Sequence, residues 1–216
     1  VKDKNSPYYG YTVVNNNGRP NTSATDYEYL GKAEADFTMG FTTNLRWKNF
    51  SFSATADWRK GGLMYSNTAY ITHFNGNSTQ TVYNERNAFI YPNTVKIVNG
   101  EYVENNIMVK SNEMHSNYNY SNNPYVRRNI VLPKDYFKLR EVSLTYDFPK
   151  NLLTKTPFKK VMVSLVGRNL LLFTPKKNNY IDPESTNLGN DLTSEFGETT
   201  GTSSTRNFGA NIKVVF

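Results

Sequence analysis

Two neighbouring segments alternate apolar and polar residues. From Phe37 to Trp47 the odd positions read Phe37, Met39, Phe41, Thr43, Leu45 and Trp47, with Thr38, Gly40, Thr42, Asn44 and Arg46 between them. Successive side chains of a strand point to opposite faces, so this pattern gives one apolar and one polar face. After Lys48 and Asn49 the alternation resumes in the other phase. Phe50, Phe52, Ala54, Ala56 and Trp58 share one face, and Ser51, Ser53, Thr55, Asp57 and Arg59 share the other. The two runs predict a hairpin of strands near 37–47 and 50–59.

A third strand is predicted near 136–148, where Val142, Leu144, Tyr146 and Phe148 oppose Glu141, Ser143, Thr145 and Asp147. Phe137 and Leu139 fall in the wrong phase, which predicts a bulge or a change of face near Arg140. A fourth strand, near 161–173, starts with Val161, Val163 and Leu165. A fifth, near 205–216, sets Phe208, Ala210, Ile212, Val214 and Phe216 against Asn207, Gly209, Asn211, Lys213 and Val215. The links between strands alternate in length. Those at 48–49 and 149–160 are short or moderate, whereas 60–135 and 174–204 are long and rich in Asn, Thr, Ser, Tyr and Gly. Loops of that length carry structure of their own. Within the first, Val95–Val98, Asn99-Gly100 and Glu101–Val103 read as a hairpin, because Asn-Gly favours a type I′ turn.

Composition changes the picture by exclusion. The 216 residues contain no Cys, which removes disulfides, thiol catalysis and Cys-based zinc sites. Mean hydropathy is −0.64, low enough to suggest disorder. The 2 Trp, 16 Tyr and 13 Phe argue for packed strands joined by polar loops. The net charge of +7 is scattered, with local groups at Arg127-Arg128, Lys159-Lys160 and Lys176-Lys177. No groove-reading fold signal accompanies them, so nucleic acid is not expected. Contact with anionic lipopolysaccharide is the alternative to plain solvation. The chain opens at Val1 without a signal-peptide pattern, as a mature product or a piece of a longer chain would.

A soluble β-sandwich would also have one apolar face per strand. Three features favour a membrane barrel. Strands of this length rise ~3.3 Å per residue and cover a bilayer core when tilted. Bulky aromatics sit at the ends of the apolar faces (Phe37 and Trp47, Phe50 and Trp58, Phe208 and Phe216), where interfacial girdles lie. Short links on one side and long loops on the other match outer-membrane barrels, whose short turns are periplasmic. The polar faces hold Arg46, Asp57, Arg59, Glu141, Asp147 and Arg168, with Lys213. An Arg or Lys turned toward lipid would cost ~2–4 kcal/mol at the midplane, so these are the lumen-facing candidates. Five strands cannot close a wide barrel, and an open edge in lipid leaves backbone groups unpaired. The expected fold is therefore all-β: a transmembrane antiparallel β-barrel segment with long extracellular loops, completed by strands outside this chain.

These residues match a known pattern. Phe137-Lys138-Leu139-Arg140-Glu141-Val142-Ser143-Leu144-Thr145-Tyr146 is followed by Phe148-Pro149-Lys150 and Leu153. Further on come Gly167-Arg168-Asn169-Leu170, Phe173-Thr174, Asp182-Pro183-Glu184 and the closing run from Phe208 to Phe216. With Asp57-Trp58-Arg59 and Gly61-Gly62, they resemble the C-terminal part of SusC/RagA-type TonB-linked outer-membrane proteins, over roughly residues 27–216. Ala35 stands where that pattern usually has Pro. The resemblance implies that the strands are the last five or so of a 22-stranded barrel. Its N-terminal plug lies outside this chain. It further implies TonB-powered import of glycans or peptides across the outer membrane of Bacteroidetes, under a SusD-like surface lipoprotein. TonB would act through the N-terminal region.

Candidate sites follow. The alternation Phe208, Ala210, Ile212, Val214 and Phe216 resembles the signal read by the barrel-assembly machinery, since a last strand can augment a partner's sheet edge. For the polar-face charges, inter-strand ion pairs are the default and substrate contact the alternative. Asp182 and Glu184 read as a turn around Pro183, or as contacts to the lipoprotein lid. Tyr118, Tyr120 and Tyr125, set among Asn residues, suit a protein contact better than sugar stacking. His73 and His115 lack companion ligands at metal spacing and read as surface residues. No cofactor, catalytic dyad, Ser-His-Asp elbow or phosphate loop is recognisable, so no enzyme is expected. A secreted or surface β-sandwich that binds glycans or mediates adhesion is the alternative function.

Overall fold

The computed structural model describes residues 1–21, 29–110, 128–187 and 196–216. Tyr118, Tyr120, Tyr125 and His115 lie outside the described residues. In chain order the strands are β1 (Thr12–Val13), β2 (Phe37–Trp47), β3 (Phe50–Lys60), β4 (Leu63–Ser66), β5 (Ala88–Ile90), β6 (Thr94–Val98) and β7 (Glu101–Glu104). They continue with β8 (Met108–Lys110), β9 (Val131–Pro133), β10 (Tyr136–Asp147), β11 (Lys160–Phe173), β12 (Gly197–Glu198) and β13 (Asn207–Val215). Among the described residues the α-helices α1 (Asn67–Phe74) and α2 (Lys150–Leu153) and a 3-10 segment (Thr79–Arg86) interrupt them. Among the described residues the regular secondary structure is mostly strand. It divides into two compact units: residues 31–64, 133–196 and 201–216 form one, and 1–30, 65–132 and 197–200 form the other.

The first unit is built on an antiparallel five-stranded sheet in the order β13-β11-β10-β3-β2. Its register aligns the apolar positions of every strand. One row reads Trp47, Phe50, Tyr146, Val163 and Ile212, and the next reads Leu45, Phe52, Leu144, Leu165 and Ala210. Toward the other end, Met39, Trp58, Phe137 and Phe173 form a further row. A one-residue slip in any strand would move its apolar set to the opposite face, so the pattern fixes the register. The polar rows are equally continuous and are tied by Ser53 to Ser143 (Oγ–Oγ 2.8 Å) and Thr145 to Ser164 (2.8 Å). Lys48 takes φ 51° in the two-residue turn between β2 and β3, and the Asn49 amide donates to the Asp147 carbonyl at 2.6 Å.

The bulge expected near Arg140 is present and explains the phase error. Between the row through Leu139 and the row through Glu141, β3 advances one residue, β10 two and β11 three. Arg140 is the extra residue of β10. Phe137 and Leu139 therefore share the apolar face with Val142. In β11 the extra length is taken up beside Asn169, at φ 52°, a left-handed conformation that Asn tolerates better than most residues. A Cβ at nearby Gly167 would lie 2.8 Å from Leu170 Cδ2, so the Leu170 side chain would have to shift to admit one.

No apolar side chain on the apolar face of this sheet is buried: Trp47 is 67% exposed, Leu165 58% and Phe208 79%. The second unit differs. Val14, Ala69, Val95, Val109, Ile130 and Leu132 are buried there as an ordinary small core. β6 and β7 form the expected hairpin, with Asn99 at φ 52° and Gly100 at φ 88° as a type I′ turn needs. β1 runs parallel to β6, β5 pairs with β8, and β12 lies parallel to β4 at Tyr65 and Ser66. One expectation is corrected here. His73 is a buried residue and not a surface one: its Nδ1 lies 2.7 Å from the Ala69 carbonyl and its Nε2 3.1 Å from Gln80 Oε1. It falls on the inner side of α1, a helix too short to show a periodicity in sequence.

Candidate functional site

Charge gathers on the polar face of β10, where the bulge sets Lys138, Arg140 and Glu141 on the same side. Opposite them comes the segment after β11. Asp182 Oδ1 accepts from its own neighbour, the Glu184 N–H, at 3.1 Å, and Pro183 is fully buried, so a tight turn fixes both carboxylates. Lys138 Nζ donates to Asp182 Oδ2 at 2.6 Å and to Glu184 Oε2 at 2.8 Å. Arg140 Nη1 donates to Glu184 Oε2 at 2.7 Å and Nη2 to Oε1, a bidentate pair; its Nε donates to Asp57 Oδ2 on β3 at 2.6 Å. Tyr136 Oη completes the shell of Glu184 at 2.8 Å from Oε1.

Burial makes these contacts count. The Lys138 and Asp182 side chains are 5% and 3% exposed. Desolvation alone would raise the Glu184 carboxyl, but hydrogen bonds from Arg140, Lys138 and Tyr136 outweigh it and hold its pKa down at about 2. Glu184 is thus ionised throughout the physiological range. Each charge in the cluster has an opposite partner, and the arrangement works as a tether that holds the segment after β11 against the sheet.

The other polar-face candidates fall into smaller pairs. Glu141 Oε2 accepts from Arg168 Nε at 2.7 Å across β10 and β11. Asp147 stands 3.8 Å from both Arg46 and Lys160. Arg59 reaches the Ala33 carbonyl through Nη2 at 3.4 Å, while its Nε is buried without a hydrogen-bond partner. All these side chains share the polar face by register. Phe208, Ala210, Ile212 and Val214 share the apolar face of β13, an edge strand of the sheet. Phe216 packs edge-on to Phe158 at 5.3 Å between ring centroids.

Sequence reasoning missed a second buried carboxylate. Glu198, 1% exposed, accepts four hydrogen bonds. Ser66 Oγ (2.6 Å) and the Thr68 N–H (2.7 Å) donate to Oε1; Thr68 Oγ1 (2.8 Å) and the Thr200 N–H (2.8 Å) donate to Oε2. Ser66 also caps α1 by accepting from the Ala69 N–H at 3.0 Å. Glu198 therefore fixes the start of α1 to β12 within the second unit. A lone Glu in a polar loop gives no local signal of this. Among the described residues no group of His, Asp or Glu could hold a metal ion.

No family model matches the chain. It is 28% identical over 174 residues to TonB-dependent receptor P3 of Formosa agariphila, covering 81% of this chain and 15% of that protein. In fold it is similar to the RagAB peptide importer in its closed-closed state, with a TM-score of 0.53 at 18% identity over 84% of this chain and 17% of that one. A further structure of the RagAB peptide transporter gives 0.54 at 17% identity over 94% and 22%. The chain spans less than a quarter of each of these relatives. The resemblance to the SusC/RagA type of TonB-dependent outer-membrane transporter holds in both sequence and fold.

Proposed function

We propose that this chain, a relative of the TonB-dependent outer-membrane transporters of the SusC/RagA type, forms the last five or so strands of a 22-stranded importer barrel. One observation carries the reading: five strands in register present an apolar face that no described residue of their own unit buries. Soluble monomers rarely expose contiguous apolar patches beyond a few hundred Å². A lipid bilayer covers such a face without a protein partner, and the two edge strands, β2 and β13, pair with the rest of the barrel.

In this reading the polar face lines the lumen, and Arg46, Asp57, Arg59, Glu141, Asp147 and Arg168 stabilise the wall or meet the plug. The long loops at 60–135 and 174–204 are the extracellular ones, under a SusD-like lipoprotein. TonB supplies energy through the N-terminal region of the complete protein. The cargo class is peptides or glycans, with peptides supported by the fold relatives. The terminal alternation ending in Phe216 serves insertion by the barrel-assembly machinery, and lipopolysaccharide surrounds the outer rim.

Residues 1–216 expressed alone are expected to need detergent, and the full-length protein to migrate faster on gels when unheated, as folded barrels do. Cooperative folding of the 216-residue segment as a soluble monomer in buffer would refute the barrel and favour the secreted β-sandwich.

A further inference from the structure

The two ends of the five-stranded sheet differ in charge. At the long-loop end the signs are mixed and paired: Lys32 with Asp36 (2.8 Å), Lys60 with Asp135 (2.8 Å) and Lys138 with Asp182. At the short-turn end the connections at 48–49 and 148–159 carry Lys48, Lys150, Lys155 and Lys159 and no Asp or Glu. All four lysines are exposed, and among the described residues none of them forms an ion pair. Asp147, at the end of β10, is engaged by Arg46 and Lys160 on the polar face.

Just inside these lysines runs a band of aromatic rings. Trp47 stacks on Phe50 (6.4 Å), Phe50 meets Tyr146 (4.8 Å), Tyr146 meets Phe148 (5.1 Å), and Phe158 meets Phe216 (5.3 Å). Lys48 Nζ lies over the Trp47 ring at 5.0 Å, and Leu152 on α2 is exposed. Aromatic rings settle at the headgroup level of a bilayer, and lysine stems extend from there to place their ammonium groups among the phosphates. We propose that this lysine rim binds anionic phospholipid headgroups of the periplasmic leaflet, anchoring the short-turn end of the wall and setting its depth in the membrane. The proposal rests on the barrel reading. Zwitterionic lipid leaves the four charges uncompensated, whereas a phosphatidylglycerol headgroup supplies the negative charge that the protein itself omits from these turns. Near an anionic surface each such lysine favours binding roughly fivefold.

The test uses the full-length protein in detergent, titrated with phosphatidylglycerol or phosphatidylcholine, with bound lipids counted by native mass spectrometry. Unheated gel mobility confirms the folded barrel separately, so failure of the barrel reading is seen before any lipid is added. Wild type is expected to hold phosphatidylglycerol at least about tenfold more tightly than phosphatidylcholine, at low salt. The variant K48Q/K150Q/K155Q/K159Q, altered only at exposed positions, is expected to stay folded and lose that preference. Equal binding of the two lipids by wild type overturns the proposal, as does a preference that survives in the variant. Loss of lipopolysaccharide binding in place of phosphatidylglycerol would put this rim in the other leaflet and overturn it too.

Discussion

Replacing Glu184 with Gln isolates the tether between β10 and the segment after β11. The carboxylate accepts from Arg140, Lys138 and Tyr136. A neutral amide keeps the shape but loses the charge and turns its NH₂ toward a donor. Removing one partner of a buried ion pair costs ~3–5 kcal/mol when the remaining charge is orphaned. Here neither cation is orphaned, because Arg140 retains Asp57 and Lys138 retains Asp182. Glu184 is also part exposed, so the cost falls nearer ~2 kcal/mol, or roughly a 30-fold gain in local opening. Hydrogen exchange in the full-length protein reads this directly. The amides of Glu184 and Ser185, which donate to Asp182 in the closed turn, should exchange about 30 times faster in Glu184→Gln, while β2 and β3 are unchanged.

Acid should reproduce the effect in wild type. The folded pKa of Glu184, about 2, is depressed from the ordinary 4.5, so its stabilisation is complete above pH 4.5 and is lost as pH falls from there toward 2. Unchanged exchange at Glu184 and Ser185 in the variant would refute the tether. Equal acceleration across the whole sheet would show that the residue supports the fold at large and not this segment.

Three further outcomes are expected. Glu198→Ala strands the donors Ser66, Thr68 and Thr200 and should destabilise α1 locally by ~2–4 kcal/mol, seen as faster exchange at the Thr68, Ala69 and Thr200 amides. Burial holds His73 below its ordinary pKa of 6.5, so its neutral form contributes stability above pH 6.5 that declines as pH falls; exchange in α1 should rise in that window, and His73→Gln should flatten the dependence. Phe216→Ala should lower the amount of the protein in the outer membrane while transcript stays constant, as measured by fractionation and immunoblot; normal membrane levels would remove its role in assembly.

The five long strands were legible because period 2 is a local signal: each of β2, β3, β10, β11 and β13 declares its faces within about ten residues. Even the bulge announced itself, through Phe137 and Leu139 standing out of phase. What stayed hidden depends on partners far along the chain. Lys138 meets Asp182 across 44 residues, and Ser66 meets Glu198 across 132. In both cases a single polar residue at each end carries the contact, with no periodicity to mark it. The polar-face positions of Arg46, Asp57, Arg59, Glu141, Asp147 and Arg168 could be read from alternation. Which of them would pair could not, because the bulge at Arg140 redirects Asp57 toward Arg140 and places Glu141 opposite Arg168. His73 was misplaced for the same reason as Glu198: its burial comes from α1 and Gln80 folding together, and α1 has only eight residues.

The division between the two faces of the sheet implies a division of labour in stability. The apolar face carries no core of its own, so under the barrel reading proposed above its burial energy comes from what surrounds the barrel, and substitutions there act on insertion. The segment after β11 is fixed instead by hydrogen bonds to the Glu184 carboxylate, and in the second unit Glu198 adds such bonds to a small apolar core. This is economical for long loops. The entropy of closing a loop rises only about as the logarithm of its length, so a few strong contacts at the right points suffice to order a segment of many residues. Because Glu184 bonds to the sheet through side chains alone, releasing it leaves the backbone ladder from β2 to β13 intact. Under the importer reading proposed above, outer loops that admit cargo and then close would need this separation between a rigid wall and detachable loops.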